Sequence, residues 1–255
     1  MAGERVLGSM VFEFFSPGMA KIMELAGAEY VIYDMEHTGI GYETVKSQVA
    51  AARGLDIAPM VRVPRGEYAY LARALDIGCE GVMVPMVNSA DEARAIVEAC
   101  RYPPVGRRGA AFSFSHDHFE SGPAKDKIKF ANERNLVIAQ IETEHGLENV
   151  DEIAAVDGID VLWVGHFDLT NFLGIPGEFD NKIYKDALKR IVKAGRKHGK
   201  GMGFLAADTT WATDYAKLGF NMLAAGTDHG LVMKGVSEIL DSVREMPKKK
   251  SRKSK

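Results

Sequence analysis

Cysteine is scarce in this chain: Cys79 and Cys100 are the only two in 255 residues, too few for a disulfide framework. No CxxC or HExxH spacing occurs, which sets aside the common structural and proteolytic zinc sites. Long apolar runs are missing as well. Nothing approaches the roughly 18 residues of a membrane span, and the N-terminus lacks the basic start, apolar centre and cleavage site of an exported precursor. These absences predict a cytoplasmic protein with no membrane partner. Nor does a GxGxxG turn follow the first apolar run, where the sequence reads FFSPG, so the phosphate loop of a dinucleotide fold is not present there.

Charge is unevenly spread. The formal net charge is −3, but the terminal PKKKSRKSK holds six basic residues and leaves −9 for the rest. An acidic body argues against a nucleic-acid surface, which needs a basic stripe. The tail, 247–255, could touch nucleic acid or anionic lipid, but without apolar or aromatic partners it reads as a disordered solubilising end. Residues 1–246 are expected to form one domain, since an α/β barrel fills this length.

Hydrophobic residues make up 46% of the chain, and they fall into eight short runs bounded by turn residues: Val6–Phe12, Tyr30–Met35, Ile57–Val63, Gly81–Val87, Leu136–Ile141, Val161–Gly165, Lys200–Leu205 and Asn221–Ala225. Runs of this kind suit parallel strands covered on both faces. Helical periodicity lies between them, at Met19–Leu25, Tyr42–Arg53, Tyr68–Leu75, Ala90–Arg101, Leu147–Val156, Lys182–Lys197, Thr210–Leu218 and Leu231–Glu245. In the fourth, Ser89 and Glu92 have capping-box spacing, and Ala93, Ile96, Val97 and Cys100 recur on one face. Four helices run into glycine, in LAG, ARG, DIG and KLG. Eightfold alternation predicts a closed (β/α)8 barrel of TIM type. One connection, Tyr102 to Asn135, is overlong and reads as a functional loop.

Chemistry in such a barrel gathers at the strand ends. YVIYDMEHTG delivers Asp34, Glu36 and His37; PMVRVP delivers Arg62; IAQIETEHG delivers Gln140 and Glu142; WVGHFDLT delivers Asp168. A solvated strand edge explains any one of these, but less readily all four together. Arg62 sits in an apolar strand, where a charge is expensive unless paired, so it either bridges barrel carboxylates or serves the site. Glu142 and Asp168, on adjacent strands, could hold a hard divalent ion such as Mg²⁺ or Mn²⁺ and leave positions for water and substrate. No lysine occupies a comparable strand end, which argues against Schiff-base chemistry.

The runs YDMEHTG, VRVP, LDIGCEGVMVPMV, YPPVGRRG, IAQIETEHGLENVDEI and VDGIDVLWVGHFDL, in that order, resemble the metal-dependent (class II) pyruvate aldolases of the HpcH/HpaI family. The resemblance covers Val6 to Glu245. It implies a barrel of the phosphoenolpyruvate/pyruvate superfamily, assembled as a hexamer whose last helix packs on a neighbouring barrel. It implies metal ligands at Glu142 and Asp168 for Mg²⁺ or Mn²⁺, with Co²⁺ a third choice. Arg62 matches the arginine on the keto oxygen, His37 the acid/base histidine and Asp34 its orienting partner. Gln140 and Glu36 match residues around the metal, its water and the substrate. Asp76 matches a family aspartate too, yet it precedes the fourth strand; from there it would serve a neighbouring subunit's site or cap a helix. Many relatives have glycine-proline before the metal aspartate, whereas this chain has Gly165, His166, Phe167 and Asp168. Amides of that turn are expected to hold the substrate carboxylate, so His166 bears on the 2-oxo acid pocket.

The implied reaction is reversible cleavage of a 4-hydroxy-2-oxo acid into pyruvate, or a close 2-oxo acid, and an aldehyde. His37 is suited to the C4 hydroxyl proton, with Asp34 on its other ring nitrogen, while Glu36 is placed to orient a metal-bound water. The aldehyde half is expected to meet loops such as Gly106–Gly122. Two rivals remain: a carbon–carbon lyase acting on a coenzyme A thioester, which needs a nucleotide site that no segment obviously supplies, and a non-catalytic metal-binding barrel.

Overall fold

The computed structural model describes residues 4–246; the expected basic tail lies outside the described residues. Eight strands are present: β1 Val6–Val11, β2 Tyr30–Asp34, β3 Ala58–Arg62, β4 Gly81–Val84, β5 Leu136–Ile141, β6 Val161–Val164, β7 Gly201–Ala206 and β8 Met222–Thr227. They close in sequence order, all parallel, with β8 returning to β1. The helices are α1 Met19–Leu25, α2 Tyr42–Ala52, α3 Tyr68–Asp76, α4 Ala90–Cys100, α5 Ala124–Arg134, α6 Glu144–Glu148 and α7 Val150–Ala154. After β6 come α8 His166–Phe172, α9 Lys182–Lys197, α10 Thr209–Leu218 and α11 Asp228–Arg244. No described helix is long and apolar enough to cross a membrane.

Two apolar layers hold this barrel. Inside it, Met10, Tyr30, Ile32, Met60, Met83 and Trp163 fill the lumen. Two glycines make room: a Cβ at Gly8 would strike the Tyr30 ring, and one at Gly203 would strike the Trp163 indole. Outside, valines of β2 to β6 meet the inner faces of α2, α3, α4 and α9. Truncating a buried Leu or Ile of those helix faces, such as Leu71 or Ile191, to Ala costs roughly 2–5 kcal/mol. The glycines of LAG, ARG, DIG and KLG, at 27, 54, 78 and 219, all have positive φ, between 78° and 125°, a region open to glycine without strain. In α4 the expected capping box is half formed: Ser89 Oγ accepts from Glu92 N at 3.2 Å, but Glu92 Oε2 accepts from Asn88 N rather than from Ser89.

Three expectations are corrected. The connection Tyr102–Asn135 is not one long loop, because α5 and a 3₁₀ turn at Ser115–Asp117 occupy much of it. It also lies at the end of the barrel where strands begin: buried Arg108 reaches back to Asp76 Oδ1 at 2.7 Å, and Ser115 O packs beside Gly78. Gly106–Gly122 therefore does not line the mouth of its own barrel. The third concerns Leu147–Val156, which is two helices, α6 and α7, meeting at Asn149.

Candidate active site

Strand register brings the site together. Asp34 and Arg62 are direct partners across β2 and β3, and Arg62 Nε donates to Asp34 Oδ1 at 2.5 Å. Both side chains are buried. The second arm, Nη1, lies 3.1 Å from Glu36 Oε2, and the guanidinium stacks over Phe12 at 5.4 Å. Arg62 thus bridges two carboxylates and also lines the mouth cavity. Asp34 shapes the turn after β2, accepting from the backbone N–H groups of Glu36 at 3.2 Å and His37 at 2.9 Å, while Thr38 Oγ1 donates to its carbonyl. The structure differs here from expectation: Asp34 holds the backbone of His37, not its ring. The imidazole faces Glu36 instead, Nε2 to Oε2 at 3.7 Å.

Across the mouth, Ile141 pairs with Val164, so the next residues along, Glu142 and Gly165, are neighbours. A Cβ on Gly165 would fall on Glu142 Oε2; the glycine is what lets that carboxylate sit there. Glu142 is buried to 1% exposure. Its Oε1 accepts from Met86 N at 2.7 Å and its Oε2 from Gln140 Nε2. Met86 adopts φ 57° to aim that amide, a conformation that non-glycine residues avoid unless the surroundings impose it. Burial raises the Glu142 carboxyl to about 7 against those hydrogen bonds, with the charges of Glu36 and Asp168 adding to the rise. Glu36 is likewise raised to about 7 by burial, opposed by Arg62 and reinforced by Asp34 and Asp168.

Asp168 lies in the first turn of α8, a helix that begins where the sequence reads as a strand edge. His37, Arg62, Gln140, Glu142, Gly165, His166, Phe167 and Asp168 line one cavity of about 340 Å³. Asp34 stands behind Arg62, and Glu36 faces a neighbouring cavity of about 590 Å³ shared with Met86. Asp76 is at the other end of the barrel with Arg108, away from this site. His166 is buried among Phe167, Phe179, Phe204 and Trp211, ring centroids 4.8–5.6 Å away. Burial lowers its pKa to about 4, and Nδ1 has no hydrogen-bond partner.

The residues fit a hard divalent cation on two grounds. Glu142 and Asp168 offer oxygen donors just past the ends of adjacent strands β5 and β6, and the charges of Glu36 and Asp168 help push the Glu142 carboxyl up, a repulsion that a cation relieves. Among the described residues no group of three His, Cys, Asp or Glu side chains is arranged to hold an ion, so water and substrate would complete the shell.

Sequence reasoning missed Phe12, Met86, Thr227 and His229, three of which line the mouth cavity. The signal for the last two was within reach: β8 runs to Thr227, two residues past the expected Ala225, and polar side chains follow at once in GTDH.

Comparison with known proteins identifies the family. The family model for "HpcH/HpaI aldolase/citrate lyase" matches residues 9–235. A 5-keto-4-deoxy-D-glucarate aldolase of Enterobacter sp. (strain 638) is 34% identical, over 90% of this chain and 89% of the relative. A hydroxypyruvate/pyruvate aldolase of Roseovarius nubinhibens is 36% identical, over 89% and 88%. The crystal structure of an HpcH/HpaI aldolase from Desulfitobacterium hafniense DCB-2 superposes with a TM-score of 0.91 at 30% identity, covering 96% of this chain and 95% of that one. The (β/α)8 barrel, the matched span and the aldolase relatives place the chain among carbon–carbon lyases: it belongs to the HpcH/HpaI aldolase/citrate lyase family.

Proposed function

We propose that the chain is a metal-dependent aldolase that reversibly cleaves a 4-hydroxy-2-oxo acid to pyruvate, or a close 2-oxo acid, and an aldehyde. The observation that carries this reading is the meeting, in one cavity, of two carboxylates, buried Glu142 and half-buried Asp168, with the cation Arg62 and the imidazole of His37. Bound there, Mg²⁺ or Mn²⁺ supplies an electron sink for the carbon–carbon bond by stabilising charge on the keto oxygen.

The chain's own groups account for the rest. Arg62, fixed by Asp34 and Glu36, presents a preorganised positive charge to the same oxygen as negative charge develops. First-turn amides of α8, from His166 to Asp168, precede the helix's internal bonding and are free for the substrate carboxylate. His37, whose side chain is 55% exposed, takes the proton from the C4 hydroxyl in cleavage and returns it in condensation. Glu36, rather than Asp34, orients its ring.

We read the protein as a homo-oligomer, hexameric by resemblance to its family. Support comes from α11, where only Asp228 is buried while Met233, Val236, Ile239 and Val243 are more than half exposed; an apolar face of that kind favours a second copy. Condensation of pyruvate with a panel of aldehydes, with and without divalent metal, tests the function. Absence of product with every metal and aldehyde would overturn it.

A further inference from the structure

His229 has no role in the account above, yet it lines the same cavity as His37. It sits in the first turn of α11, directly after β8. Its neighbours define its chemistry. Asp228 is fixed by backbone N–H groups of Phe12, Glu13 and Phe14 at 2.6–3.0 Å, and its Oδ1 lies 3.5 Å from His229 Nδ1. That carboxylate favours the proton on Nδ1, which leaves Nε2 as an acceptor. Nε2 lies 3.3 Å from Thr227 Oγ1, and the hydroxyl is the natural donor to it. The ring packs edge-on to Phe12, centroids 6.1 Å apart. Its side chain is 44% exposed, and the single Nε2 lone pair passes to a donor from the cavity when the Thr227 hydroxyl rotates away.

Position decides what that donor is. On the aldolase reading the 2-oxo acid is held at the ends of β5, β6 and β3, by Glu142, Asp168 and Arg62. The β8–β1 side of the mouth, with Thr227, His229 and Phe12, remains for the fragment that those groups do not hold. That fragment is the aldehyde half.

We propose that His229 accepts a hydrogen bond from a hydroxyl on the carbon next to the aldehyde carbonyl, so that the enzyme takes 2-hydroxyaldehydes in preference to aldehydes without that hydroxyl. The inference rests on the aldolase reading and adds the substrate class. An acceptor at this point favours a hydroxyl over a carboxylate, which has no proton to give.

Glycolaldehyde and propanal, near-isosteric and differing in that hydroxyl, are the probes. Condensation with pyruvate is measured for the parent, His229→Leu and His229→Gln in the presence of Mn²⁺. The parent is expected to favour glycolaldehyde in kcat/KM. His229→Leu, which keeps bulk against Phe12 without an acceptor, should reduce that preference about tenfold, mainly through KM for glycolaldehyde. His229→Gln, which keeps an acceptor oxygen, should recover part of it. A parent that uses both aldehydes without preference overturns the role of His229 and leaves the aldolase reading standing; so does an unchanged preference in His229→Leu. A Gln variant no better than Leu assigns the residue to packing and also overturns it. A parent that condenses pyruvate with neither probe nor any other aldehyde overturns the aldolase reading, and His229's role with it.

Discussion

Asp34 and Arg62 are register partners on β2 and β3, and their side chains meet at 2.5 Å inside the barrel mouth. One consequence is that Arg62 has two duties that mutation can separate. Arg62→Ala removes both, leaving buried Asp34 uncompensated at a cost of roughly 3–5 kcal/mol. Arg62→Lys keeps a charge but not the two-armed hold on Asp34 and Glu36. We expect thermal melting of the Lys variant near the parent's, with turnover about 10²- to 10³-fold lower. Parental turnover in Arg62→Lys would remove the guanidinium from the reaction.

Gly165 is the second test point. An alanine there collides with Glu142 Oε2, so Gly165→Ala should displace the carboxylate proposed as a metal ligand without replacing it. Isothermal titration with Mn²⁺ is expected to show affinity reduced about 10- to 100-fold, as when a ligand's support is disturbed. Unaltered affinity would place the metal elsewhere.

The pairing of His37 with Glu36 separates two proton transfers. His37→Ala should slow aldol cleavage by about 10² to 10⁴, while exchange of the pyruvate methyl protons with solvent, followed by NMR without aldehyde, falls less. Equal loss in both would make His37 the base for both steps, and no loss in either would return it to a strand-end residue.

Stability of the metal-free protein should depend on pH in a direction opposite to that of an ordinary salt-bridged carboxylate. Glu142 and Glu36 titrate near 7 in the fold, above the ordinary 4.5, so the native state binds more protons than the unfolded state between those values. Their stabilising contribution is complete below about 4.5 and is lost as pH rises through about 7. Melting temperature is expected to fall from pH 5 to pH 8, and Glu142→Gln should flatten the slope. A parent that melts higher at pH 8 than at pH 5 would contradict this.

Much of this architecture was legible in the sequence, for physical reasons that also mark the limits. Eight apolar runs alternating with helices, four of which end in glycine, require burial on both faces, and a parallel barrel provides it. The strand-end rule located Arg62, Glu142 and Asp168, because a polar side chain ending an apolar run has one place to go. Helix α5 escaped because AKDKIKFANER is mostly polar and buries only Ala131. The partner of Asp34 escaped because it is set by register between strands 28 residues apart, not by nearness to His37. Met86 offered no composition cue at all: its backbone N–H matters, not its side chain.

Release of pyruvate from a 4-hydroxy-2-oxo acid, compared between metal-stripped and Mn²⁺-reconstituted protein for the parent and Glu142→Gln, tests the central claim most directly. The account predicts cleavage by the reconstituted parent, none by the stripped parent, and none by Glu142→Gln with or without Mn²⁺. Full cleavage by the stripped parent, or restoration of Glu142→Gln to parental rate by Mn²⁺, would contradict it.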